Sequence, residues 1–189
     1  MILTRSRSIV LAGLVLLAAV VMLSWTQSWF TVMVNDGSTI DVLGSDAAGS
    51  LAALALSIFA LVAALSLSSL VVRRVLGVLA AIVGAIIVAV AQAALVDPLL
   101  ASGAVITDAT GISGINSLRG LVESVTASGW PTPAVIAGGL IVVVGLFATF
   151  TAHRWPGPTK KYDRTSAVVA DDPASQWDAQ SRGIDPTVE

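Results

Sequence analysis

Residues 9–25, 47–72, 75–95 and 134–152 contain no Asp, Glu, Lys or Arg. No other feature of the sequence restricts its folds so sharply. A helix rises about 1.5 Å per residue, so roughly 20 apolar residues cross a hydrocarbon core of about 30 Å, where the helix pairs its own backbone groups. A charge at mid-span opposes insertion by about 2.5 to 3.5 kcal/mol, and all four runs avoid it. Each therefore reads as a membrane span. The chain is 56% hydrophobic and 12% charged, whereas an ordinary soluble domain is about 25% charged, so a water-soluble globule is excluded. With no Cys there is no disulfide scaffold, and a net charge of -2 argues against a nucleic-acid partner.

Only Arg73-Arg74 separates the second run from the third. One helix from 47 to 95 would extend about 73 Å, far beyond a single crossing. The Arg pair is thus expected to mark a hairpin at a membrane face. Four spans then put Arg5, Arg7, Arg73, Arg74, Arg154, Lys160, Lys161, Arg164 and Arg182 on one side and Arg119 alone on the other. By the positive-inside bias both termini are expected in the cytoplasm, with the protein multi-pass in the plasma membrane. The other face carries Asp36, Asp41, Asp46, Asp97, Asp108 and Glu123. Arg5 and Arg7 before an apolar stretch also suit a cleaved signal peptide, but Thr26-Gln27-Ser28 is a poor cleavage site. Trp25, Trp29 and Phe30 are expected as an aromatic belt on a retained span, and Trp130 and Trp155 as interfacial anchors of the fourth.

The outer loops are expected to be structured. Residues 30–34 and 39–43 are β-prone and flank Asn35-Asp36-Gly37-Ser38, a turn sequence, so a hairpin is predicted. Residues 104–107 are the candidate third strand, and Leu118, Leu121, Val122 and Val125 have helical spacing. Within the spans, small residues let two backbones approach closely. Gly77, Ala81, Ala85, Ala89 and Ala93 recur every four positions, with Ala80 and Gly84 alongside, and make the third span the expected central helix. Gly138, Gly139 and Gly145 repeat the pattern in the fourth. Gln92 is expected to bond a neighbouring helix, and His153 to sit at the interface.

No nucleophile motif, zinc-protease motif, phosphate loop or intramembrane carboxylate is present. No catalytic residue, cofactor or metal ligand is assigned, and an enzyme is not expected. The chain reads as an all-α membrane protein: a four-helix bundle over residues 1–155 with a small extracytoplasmic β-sheet, followed by a disordered cytoplasmic tail, 156–189. In that tail Asp172, Pro173, Gly183 and Pro186 are the boundary signals of a short helix at 173–182. Trp177 is its one large apolar residue, so the helix is expected to order only on a partner. Lys160, Lys161 and Arg164 lie where anionic head groups would attract them.

Arg73-Arg74, Trp155-Pro156, Lys161-Tyr162, Trp177-Asp178-Ala179, Arg182-Gly183 and Asp185-Pro186-Thr187, on four spans, resemble the tryptophan-biosynthesis-associated membrane protein family of actinobacteria. The resemblance covers nearly the whole chain. It implies a plasma-membrane protein associated with tryptophan synthesis, without catalytic residues to carry over. Two functions are open at this point. One is a non-enzymatic accessory or scaffold protein whose tail, through Trp177, Arg182, Asp185, Pro186 and Thr187, holds a cytoplasmic protein. The other is a small permease for tryptophan or an indole compound, its polar path formed between copies in a homo-oligomer. The lipid bilayer is the partner common to both.

Overall fold

The computed structural model describes residues 2–154. Its elements run α1 (Ile2–Trp25), β1 (Ser28–Val34), β2 (Thr39–Leu43), the single turn α2 (Gly44–Ala47), α3 (Ser50–Leu67), α4 (Leu70–Val96), α5 (Pro98–Thr110), α6 (Ile115–Leu121), β3 (Val122–Ala127) and α7 (Pro131–Thr151), closed by a 3-10 turn (Ala152–Arg154). Four helices are long and apolar enough to cross a membrane: Arg7–Trp25 of α1, and α3, α4 and α7. They form a ring in which α1 packs on α3 and α7, α3 on α4, and α4 most extensively on α7. Their outward faces stay apolar, with Leu16, Leu56, Ile82, Val143 and Phe150 all exposed. In water such faces would be a liability; in lipid they are the solvated surface.

The remaining elements cap one end of the ring. The sheet order is β2-β1-β3, antiparallel throughout, with Val32 opposite Ile40 on one side and Val125 on the other. The expected hairpin is present. Gly37 takes φ 83° in its turn, and the Asp36 side chain accepts from the Ser38 amide at 2.8 Å. Ser38, through its hydroxyl and then its amide, holds the Asp36 carboxyl below the usual carboxylate range. Helix α5 packs against all three strands.

Three expectations are corrected. The chain turns at Ser68 and Ser69, both extended, and Arg73-Arg74 lie inside α4. Arg is a good helix former, whereas Ser competes with the backbone and favours helix ends; the Ser68 hydroxyl donates to the Ala64 carbonyl. Residues 104–107 belong to α5, not to a strand. Asp97 caps that helix by accepting from Leu100 N at 3.0 Å, Pro98 occupies its first turn, and Gly111 ends it at φ 72°. The third strand is β3, so the helical spacing from Leu118 holds only to Leu121.

Candidate functional site

Trp29 and Phe30, expected in an aromatic belt, are instead fully buried in the protein, and meet edge to face with centroids 6.4 Å apart. They are consecutive, at a register shift between Ser28 and Phe30; from Phe30 onward buried and exposed residues alternate, and β1, the central strand, feeds the core shared by the cap and the bundle. The Trp29 indole N–H donates to the Ser24 carbonyl at 2.8 Å. Ser24 is itself buried, and its hydroxyl donates to the Trp130 carbonyl at the head of α7 at 2.6 Å. The Ser128 hydroxyl donates to the Ser28 carbonyl at 2.7 Å and its amide to the Trp29 carbonyl at 2.8 Å. Gly44 completes the junction because a Cβ there would stand 2.6 Å from Trp29 Nε1 and 2.8 Å from the Trp25 carbonyl oxygen. The end of α1 and the start of α7 are thereby joined through the sheet.

The second concentration of structure is the seam between α4 and α7. A Cβ on Gly84 would lie 2.9 Å from the Gly138 carbonyl oxygen and 2.9 Å from Val142 N; one on Gly145 would lie 2.8 Å from Ala81 N and from the Gly77 carbonyl oxygen. On Gly138 it would meet Ile87 Cγ2 at 2.9 Å, and on Gly77 Thr149 Oγ1 at 2.5 Å. The two backbones therefore touch over several turns. Gly77 and Ala81 of the expected small-residue row lie in this seam, but Ala85, Ala89 and Ala93 are exposed. Each step of four residues advances about 400°, so the row rotates about 40° per step and leaves the interface. The buried row is Gly77, Ala80, Gly84, Ile87, Ala91 and Ala94, with Ala81 beside it; its steps of three and four residues average about 3.4, which keeps one face on the neighbouring helices. Gln92 likewise faces outward and not towards another helix.

The end of the bundle opposite the sheet is basic. Arg7 donates to the Ser66 carbonyl at the C-terminus of α3, where a cation complements the helix dipole. Arg73 is buried, and Arg74 is exposed. His153 is exposed in the closing turn. Among the described residues no group of three His, Cys, Asp or Glu could hold a metal ion. The expected tail anchors Trp177, Arg182, Asp185, Pro186 and Thr187, the helix at 173–182, and Trp155 lie outside the described residues.

A four-span bundle with an interlocked sheet at one end and a cluster of arginines at the other is a polytopic membrane protein. Sequence comparison narrows the class. The profile of the tryptophan-associated transmembrane protein family matches residues 11–187, and the chain belongs to that family. Comparisons with curated proteins and with solved structures return no match.

Proposed function

We propose that the protein is a non-enzymatic membrane accessory of tryptophan synthesis that holds a cytoplasmic protein through its tail. The observation that carries this reading is the closed α4–α7 seam. Polar or charged groups along a midplane path are what coupled transport uses. Here, among the described residues, the buried polar side chains are Ser24, Arg73 and Ser102, near the span ends or in the cap. Among the described residues, α4 and α7 pack backbone to backbone with no buried polar side chain at mid-span. The family match also extends through Trp177 and Asp185-Pro186-Thr187, which supports a role for the tail beyond topology.

Removing the protein from cells is expected to shift enzymes of tryptophan synthesis from the membrane pellet to the soluble fraction and to leave tryptophan uptake and efflux unchanged. Trp177→Ala is expected to reproduce that shift, with the protein still inserted at its normal level. Altered tryptophan flux with no redistribution of the enzymes would instead mark a permease.

The same reading sets both termini in the cytoplasm, supported by the nine Lys and Arg on that side against Arg119. Reporter fusions after Val34 and Asp108 are expected to be active only in an extracytoplasmic assay. Fusions after Ser69 and Lys161 should be active only in a cytoplasmic one. Cytoplasmic activity after Asp108 is incompatible with this orientation.

A further inference from the structure

At the arginine end of the seam, the outer surfaces of α4 and α7 form an open groove of about 280 Å³ lined by Arg74, Val75, Val78, Leu79 and Thr149. From these walls we infer that it is a binding site for one anionic phospholipid, with the phosphate on Arg74 and the upper part of an acyl chain between the helices. Val75, Val78 and Leu79 are 54%, 42% and 42% exposed, and they lie on a span, so hydrocarbon is what surrounds them. The Thr149 hydroxyl donates to the Gly145 carbonyl at 3.0 Å, with the Arg74 carbonyl 3.4 Å away, so it is turned to the backbone. Below Arg74 the walls are thus apolar.

The charge fits the same occupant. Of the arginines at this end whose side chains are described, Arg7 is engaged with the Ser66 carbonyl and Arg73 is buried, whereas Arg74 is exposed and lines the groove. From Arg74 to Leu79 the helix descends about 7.5 Å. A phosphate paired with the guanidinium therefore lays its first methylenes beside Val75, Val78 and Leu79. A guanidinium offers a planar fork of donors that matches phosphate oxygens. A zwitterionic lipid with the same chains fills the groove but adds no net negative charge at Arg74, so head-group charge sets the preference.

The test is native mass spectrometry of the full chain, released from detergent and titrated with phosphatidylglycerol or with phosphatidylcholine of the same acyl chains. Phosphatidylglycerol is expected to bind about fivefold more tightly, equivalent to about 1 kcal/mol for one basic residue at a lipid surface. Arg74→Gln should reduce it to the phosphatidylcholine level, Val78→Trp should weaken both lipids, and Arg119→Gln should change neither. Both groove positions are exposed, and unchanged thermal unfolding without added lipid verifies that the variants fold. Equal binding of the two lipids by the unaltered chain overturns the inference, as does unweakened binding in Val78→Trp. So does a preference that survives Arg74→Gln but disappears in Lys160→Gln/Lys161→Gln/Arg164→Gln, which assigns the lipid to the tail. Displacement by glycerol phosphate alone identifies a free phosphate site instead.

Discussion

Trp29→Ala is expected to lower the stability of the folded cap by about 3 to 5 kcal/mol, the range for removing a large, fully buried aromatic side chain. Trp29 is 0% exposed, contacts Phe30 edge to face, and donates to the Ser24 carbonyl. Its loss opens a cavity at the point where α1, β1 and α7 meet. Trp29→Phe retains most of the ring and removes one donor. The Ser24 carbonyl still accepts from Gln27 N at 3.1 Å, so the effect should be nearer 1 kcal/mol. Gly44→Ala should also destabilise, since its methyl would stand 2.6 Å from Trp29 Nε1 and 2.8 Å from the Trp25 carbonyl oxygen; in Trp29→Ala only the backbone part of that clash remains, so the two changes together should cost less than their sum. Thermal unfolding in detergent and protease cleavage at the Asn35-Asp36-Gly37-Ser38 turn measure these effects. Insertion of the four spans should be unaffected, being determined by hydropathy. A Trp29→Ala protein as stable and as protease-resistant as the unaltered chain would falsify the junction.

The spans and the hairpin were legible in the sequence because each is specified locally. An uncharged run either suits hydrocarbon or does not, and Asn35-Asp36-Gly37-Ser38 carries its own turn geometry. The turn between α3 and α4 is harder to read because charge and backbone preference point to different places. Arg73 and Arg74 interrupt hydropathy but not helicity, and Ser68-Ser69 does the opposite. In α5, the β-branched Val105, Ile106 and Thr107 suggested a strand when taken alone. The Asp97-Pro98 start and Gly111 stop outweigh them once the whole segment is considered. Trp25, Trp29 and Phe30 show another limit. Aromatic residues at a span end suit an interfacial belt, but Trp29 and Phe30 are placed in a core by strands that pair across a gap of about ninety residues, and no local pattern carries that pairing. The expected tail residues Trp177, Arg182, Asp185, Pro186 and Thr187 lie outside the described residues, so the packing of the spans does not bear on them.

Small residues in a span signal close approach, but the sequence does not say which of several small rows is used. Gly84→Ala decides between the two rows of α4. Its new methyl would stand 2.9 Å from the Gly138 carbonyl oxygen, from Ile141 Cγ2 and from Val142 N. Two of those three atoms are backbone, so relief requires the helices to separate, and separation weakens dispersion contacts along the rest of the seam. Overpacking of this kind costs about 1 to 3 kcal/mol, and Gly84→Leu should exceed Gly84→Ala. Ala85→Ile adds more volume one residue away, on the exposed face, and should change stability by no more than about 0.5 kcal/mol. Gly138→Ala should resemble Gly84→Ala, since its methyl would meet the Gly84 carbonyl oxygen at 3.1 Å along with Ile87 and Val88. Combining the two should destabilise by less than their sum, because helices already held apart by the first methyl have room for the second. The measurement is thermal unfolding of the unaltered chain and of each of these variants in one detergent. If Ala85→Ile is the damaging change and Gly84→Ala is silent, the α4–α7 seam follows the every-fourth-residue row, and the tight backbone contact described here does not hold.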